Sequence, residues 1–178
     1  MNRNPRVPAL TTERVYLRYV LINDAPRLFE IASNPNVTKF LSYKPHTSIE
    51  ESRNVIVKWI SEESLKKTYQ WAILHEPRMI GTIEARIKPN NLYNLGWQLD
   101  EKYWGKGFMT EAANAVIEWL FTEKGAEVVE ATADIDNIGS WRVMEKTGMK
   151  RISELTDEHK YLYQITREEY LQKIKKGE

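Results

Sequence analysis

Between residues 69 and 100 the chain carries three strand-like stretches in direct succession: YQWAILH (69 to 75), RMIGTIEARIK (78 to 88) and NLYNLGWQLD (91 to 100). Only EP and PN separate them, with Asn91 extending the second turn. Links this short leave no room for a crossover helix, so the three segments must fold back on one another as an antiparallel meander. In the middle segment Met79, Gly81, Ile83, Ala85 and Ile87 are expected on one face, with Ile80, Thr82, Glu84, Arg86 and Lys88 on the other. Glu84 therefore falls among polar neighbours on a central strand.

Directly after the meander comes YWGKGFMTEA (103 to 112), two glycines and a lysine at the entrance to a helical pattern. Met109, Ala112, Ala113, Val116, Leu120 and Phe121 recur at helical spacing, and Gly125 is a natural stop. EVVEATADID (127 to 136) then alternates strictly, as a half-buried strand does. A helix thus joins two strands, which makes that pair parallel. The glycine turn falls at the carboxyl end of a strand, where open α/β sheets place their ligands. Amides at a helix N-terminus lack internal partners and favour negative charge, so the spot suits a phosphate.

The flanks complete a mixed α/β pattern. TTERVYLRYV (11 to 20) reads as a strand, and NDAPRLFEIAS as a helix capped by Asn23 or Asp24 with Pro26 in its first turn and Leu28, Phe29 and Ala32 inward. A second helix opens at Ser48 with Glu51 completing a capping box, and buries Val55, Ile56, Trp59 and Ile60. NIGSWRVMEKTG is a short helix capped by Asn137 and ended by Gly148. MKRISEL and KYLYQIT close as a pair of strands, with REEYLQKIKK helical beyond. The first ten residues and the lysine-rich QKIKKGE are expected to be frayed or solvated. The order is β-α-α-β-β-β-α-β-α-β-β.

With 178 residues, 42% of them hydrophobic, one domain spanning 1–178 is expected. A net charge of +1, with both signs interspersed, argues against nucleic acid, so affinity for an anion must be local. No cysteine means no thiolate nucleophile, and three scattered histidines lack metal-cluster spacing, so no metal is expected. No run of about 18 apolar residues exists. The expectation is a cytoplasmic protein with no membrane partner; a homodimer is only the commonest assembly for such a chain.

YWGKGFMTEA after LGWQLDEK, followed by DIDNIGSWRVMEKTGM, resembles the GNAT acetyltransferases, and more closely their RimJ- and RimL-like branch of ribosomal-protein N-terminal acetyltransferases. The resemblance covers Thr11 to Thr166. It implies a mostly antiparallel twisted sheet with helices on both faces and an acetyl-coenzyme A site. The backbone of Gly105, Lys106, Gly107, Phe108, Met109 and Thr110 would hold the pyrophosphate, with the pantetheine along the strand ending at Leu99. Trp104 and Met109 stand where the wider superfamily has Gln or Arg and Gly or Ala, so the backbone part is what carries over. Asn137 and Ser140 match the branch's Asn-x-x-Ser, which implies that Asn137 touches pantetheine and Ser140 lies by the sulfur; capping alone also explains Asn137. Lys146 matches the family's lysine before the closing glycine and either reaches phosphate or serves the helix C-terminus.

Acetyl transfer requires a neutral amine, whereas α-amines titrate near pH 8 and lysine near about 10.4. Direct attack in a ternary complex is expected, with a backbone N–H near Leu99 for the oxyanion and Ser140 as the thiolate's partner. Glu84 is the candidate base, directly or through water, unless it is merely solvated or ion-paired; Asp134 is the reserve. The acceptor is a protein N-terminus or a small amine such as a polyamine, amino sugar or antibiotic, and a non-catalytic coenzyme A-binding regulatory module is the alternative from another class.

Overall fold

The computed structural model describes residues 7–177; the expected fraying of residues 1–6 and 178 lies outside the described residues. The meander is β3 (Thr68–His75), β4 (Arg78–Lys88) and β5 (Leu92–Leu99). It is preceded by β1 (Leu10–Thr11), β2 (Tyr16–Tyr19), α1 (Ala25–Ala32), α2 (Pro35–Thr38) and α3 (Ile49–Ser64). It is followed by α4 (Phe108–Glu123), β6 (Val128–Asp134), α5 (Ile138–Lys146), β7 (Lys150–Leu155), β8 (Lys160–Thr166) and α6 (Arg167–Lys176). The eight strands form one sheet in the order β1-β2-β3-β4-β5-β6-β8-β7. Every neighbouring pair is antiparallel except β5 and β6, which α4 joins in parallel.

Side-chain alternation sends β3 into two cores. Trp71 and Ile73 pack with α4 residues such as Val116 and Leu120 on one face, while Ala72 packs with Leu28 of α1 and Ile56 of α3 on the other. On β4 the expected alternation fails at one place. The register with β3 slips between Ile73 and Leu74, which leaves Ile80 as an extra residue. Ile80 therefore joins Ile83 in the larger core, and Met79 turns to the opposite face beside Ala72. A Cβ on Gly81, next to this bulge, would lie 2.3 Å from the Gln98 carbonyl oxygen, so only glycine fits.

Local chemistry corrects other expectations. The strand expected over 11 to 20 breaks into β1 and β2 because the Thr12 hydroxyl and amide both bond the Val15 carbonyl at 3.0 Å, closing a turn. Asp24 precedes α1 without capping it: its carboxylate takes both ends of the Arg18 guanidinium at 2.8 Å and the Leu21 amide at 2.8 Å. Ser48 caps α3 through the Glu51 amide at 3.1 Å, but the Glu51 carboxylate reaches the Thr47 amide instead of closing a box on Ser48. Residues 7–10 are not frayed, since Val7 is buried and the Trp71 indole donates to the Pro8 carbonyl at 3.0 Å. The lysine-rich end continues α6, which opens with a Thr166–Glu169 capping box and stacks Tyr170 on Phe121 with ring centres 4.7 Å apart. Among the described residues no helix is long and apolar enough to cross a membrane.

Candidate active site

The parallel pair is incomplete. β5 and β6 are in register only from Leu92–Val128 to Leu95–Ala131, although β5 runs on to Leu99 and β6 to Asp134. Gly96–Leu99 and Thr132–Asp134 thus flank a gap opened in the middle of the sheet. The Asp100 amide donates to the Ile80 carbonyl at 2.8 Å, which makes Leu99 opposite Gly81 a non-hydrogen-bonded position relative to β4. Leu99 therefore turns its own N–H and C=O into the gap. Its carbonyl accepts the Trp104 indole N–H at 2.8 Å, and its amide has no ladder partner among the described residues.

Beyond Leu99, Asp100 caps a 3-10 turn over Glu101–Tyr103 by accepting the Lys102 amide at 3.1 Å. Arg27 of α1 fixes Asp100 by an ion pair and also donates to the Met79 carbonyl at 2.7 Å. These bonds hold Asp100 ionised, keeping its carboxyl below the usual range although burial alone would raise it. Gly105 and Gly107 follow with φ of +70° and +83°, the left-handed region that glycine enters without penalty. α4 begins at Phe108 with no side-chain cap. The amides of Gly105, Lys106, Gly107, Phe108, Met109 and Thr110 donate to no protein oxygen among the described residues. Phe108 and Met109 bury their side chains, which anchors the helix and leaves only their amides outward. The Lys106 ammonium folds back on the Lys102 carbonyl at 2.8 Å and stays at the rim.

α5 enters from the end of β6, across the gap from Leu99. Asn137 caps it, its side-chain oxygen accepting the Ser140 amide at 3.3 Å. The half-buried Ser140 hydroxyl makes no hydrogen bond among the described residues. Lys146 lies on the last turn, exposed, and with Arg14, Gly107, Thr110 and Asn114 lines an open groove outside the start of α4. Of the expected site residues, Gly107, Thr110 and Lys146 thus border one groove, and Asn137 and Ser140 stand at the start of α5.

Glu84 stands on the face of the sheet that α1 and α3 cover, opposite Gly96 of β5. A Cβ on Gly96 would lie 2.9 Å from Glu84 Oε1, so glycine there opens the space in which the carboxylate lies over β5. Glu84 is ion-paired with Arg86. On the same face the Tyr43 hydroxyl donates to Gln98 Oε1 at 2.5 Å, and Gln98 Nε2 donates to Thr82 Oγ1 at 3.2 Å. Burial pushes the Tyr43 phenol well above its usual range, with the Glu84 charge adding to it. Gln70 Oε1, beside Glu84 on β3, is buried and has no partner among the described residues. Asp134 ends β6 and accepts the Asp136 amide at 2.9 Å. The fold brings Asp134, Asp136 and His159 within 4.8 Å of one another, a grouping that their spacing in the chain does not announce.

Five side chains around the site escaped sequence reasoning: Arg14, Tyr43, Gln98, Arg27 and Asp100. Arg14 is 92 residues from the Lys106 carbonyl that it contacts, and Arg27 is 73 from Asp100, so no local pattern marks them.

Residues 14–150 match the acetyltransferase (GNAT) domain family. The chain is 31% identical over 143 residues to the uncharacterized N-acetyltransferase YnaD of Bacillus subtilis, covering 80% of this chain and 82% of that protein. Among solved structures, a GNAT-family acetyltransferase from Bacillus anthracis superposes with a TM-score of 0.80 at 26% identity, over 90% of this chain and 99% of that one. RimL, a ribosomal L7/L12 α-N-protein acetyltransferase solved with coenzyme A, shares the fold with a TM-score of 0.81 at 18% identity, over 89% and 98% of the two chains. A sheet parted beside a helix whose first amides face outward is what a thioester carrying phosphates requires, and the matches agree: the chain belongs to the GNAT family and is an acetyl-CoA-dependent N-acetyltransferase.

Proposed function

We propose that the acceptor is the α-amine of a protein N-terminus, of the ribosomal-protein type, and that the chain works in the cytoplasm as one RimJ/RimL-like domain, alone or as a homodimer. The observation that carries this reading is the arc of unpartnered amides from Gly105 to Thr110 beside the open end of β5, which orients the acetyl donor toward the polar face formed by Glu84, Gln98 and Tyr43. An open groove lined by Pro35, Thr38, Lys39, Leu41, Tyr43 and Lys44 shares Tyr43 with that face and is the place for an extended peptide in this reading. An α-amine, with a pKa of about 8, is neutral far more often at pH 7 than a lysine amine at about 10.4.

In this reading the Gly105–Thr110 backbone and Lys106 hold the pyrophosphate, Lys146 adds a cation, and Asn137 and Leu99 align the pantetheine. The acceptor nitrogen attacks the thioester carbonyl, whose oxyanion takes the Leu99 amide. The C–N bond forms, the C–S bond breaks, and the ammonium proton leaves to Glu84 directly or through water, with Asp134 in reserve. Ser140 donates a hydrogen bond to the departing thiolate. Holding the reactants together supplies roughly 7–11 kcal/mol of the barrier.

The deciding experiment is an acetyl-transfer screen of N-terminal peptides beside polyamines, amino sugars and aminoglycosides, read by mass spectrometry. Acetylation of peptide α-amines is expected. Transfer confined to small amines overturns the acceptor assignment, and coenzyme A binding without any transfer leaves a regulatory module.

A further inference from the structure

We propose that Arg14, contributed by the turn between β1 and β2, is a phosphate ligand for the acyl donor, presented at the glycine turn by a dedicated carboxylate. This rests on the acetyl-CoA activity, and assigns to it a side chain far from the turn in sequence.

Two of the three guanidinium nitrogens are already committed. Nε pairs with Glu111 Oε2 at 2.7 Å, and Nη1 donates to the Lys106 carbonyl at 2.9 Å. The guanidinium carbon stands 4.6 Å from the centre of the Phe108 ring, which packs against the cation. Three contacts fix one orientation, so little rotamer freedom remains to be lost on binding. Nη2 makes no hydrogen bond among the described residues and lies 3.2 Å from where a Cβ on Gly107 would stand. A side chain at position 107 would cover that nitrogen; glycine leaves it open to the groove shared with Thr110, Asn114 and Lys146. Arg14 keeps 40% of its side chain exposed, so the edge is reachable.

Glu111 explains why the arginine is held there. It stands in the first turn of α4, where a bare carboxylate would repel the anion that the amides attract. Burial pushes its carboxyl up, but the Thr12 hydroxyl and the amide and guanidinium of Arg14 outweigh that and hold it below the usual range, so it is ionised. The pair is neutral as a unit; both partners line the groove together with Glu13 and Lys146, and the Nη2 edge of Arg14 is the donor left for an anion there. A planar guanidinium matches phosphoryl oxygens better than an ammonium does. The ligand is either the pyrophosphate or the third phosphate of coenzyme A, which share this chemistry.

Isothermal titration of the full chain with coenzyme A, 3′-dephospho-coenzyme A and pantetheine separates these. Arg14→Gln is expected to weaken coenzyme A roughly tenfold or more and to leave pantetheine unchanged, and the Arg14→Gln/Glu111→Gln double variant is expected to stay as weak. If the loss persists with dephospho-coenzyme A the pyrophosphate is the ligand; if it vanishes, the third phosphate is. Recovery of wild-type affinity in the double variant would show that the loss came from the uncovered Glu111 charge and overturns the proposal. An equal fall for pantetheine also overturns it, by making Arg14 a brace only. Wild-type protein that binds coenzyme A no tighter than pantetheine refutes the phosphate turn itself, before any variant is made.

Discussion

The indole N–H of Trp104 donates to the carbonyl of Leu99 at 2.8 Å, tying the start of the glycine turn to the end of β5. Trp104 is exposed and departs from the residue type common at this place in the wider superfamily, yet its bond sets how far the turn stands from the open Leu99 amide. Trp104→Phe keeps most of the ring and removes the bond. Stability is expected to fall by about 1 kcal/mol in urea denaturation, with the KM for acetyl-CoA rising several-fold in steady-state kinetics.

Two glycines separate steric from conformational need. At Gly105 a Cβ meets nothing within 4 Å, so Gly105→Ala is charged only with the left-handed backbone, about 1–2 kcal/mol. At Gly81 the Cβ would overlap the Gln98 carbonyl, and the bulge beside Leu99 must shift. Gly81→Ala is expected to lower the denaturation midpoint more than Gly105→Ala and to reduce kcat as well. Equal midpoints would contradict the steric account.

Asp100 makes stability depend on pH in acid. Its folded-state carboxyl is held below the ordinary 3.8 by the Arg27 and Lys102 bonds, so the unfolded chain binds the proton more readily. The stabilisation is complete above that ordinary value and is lost as pH falls through the folded one. Asp100→Asn is expected to be less stable at pH 7 and to show a shallower decline of Tm below about pH 4. A decline as steep as wild type would move the acid sensitivity elsewhere.

The two side chains to which the proposed mechanism gives chemistry have distinct signatures. Ser140→Ala is expected to lower kcat roughly tenfold while the Kd for acetyl-CoA holds; unchanged kcat would assign the hydroxyl to the helix alone. Glu84→Gln is expected to cost about a hundredfold in kcat/KM and to flatten the acid limb of its pH profile.

What the chain reveals of its fold depends on how local the cause is. The meander, α4, β6 and the Asn137 cap follow from periodicity, short links and side chains that act within a turn, and they stand where the sequence reading puts them. Met79 and Ile80 do not, because a bulge is an arrangement between two strands and leaves no mark in one. Asp24 has the composition of a helix cap but meets Arg18, six residues away, with two hydrogen bonds, and the stronger partner wins. At the site, the backbone half is legible because glycines report φ directly. The side-chain half, Arg14, Tyr43 and Gln98, is assembled across 55 to 97 residues by sheet order alone.

The parting of β5 from β6 also has a mechanical meaning. Strands β1 to β5 and β6 to β8 are stitched by only four facing residue pairs, so the sheet is two rafts with a short seam. A thioester arm lying in the opening would lengthen that seam, and the same contacts that bind the donor would stiffen the protein. Amide hydrogen exchange in β6 and β8 should slow on saturation with the donor, even at residues remote from it.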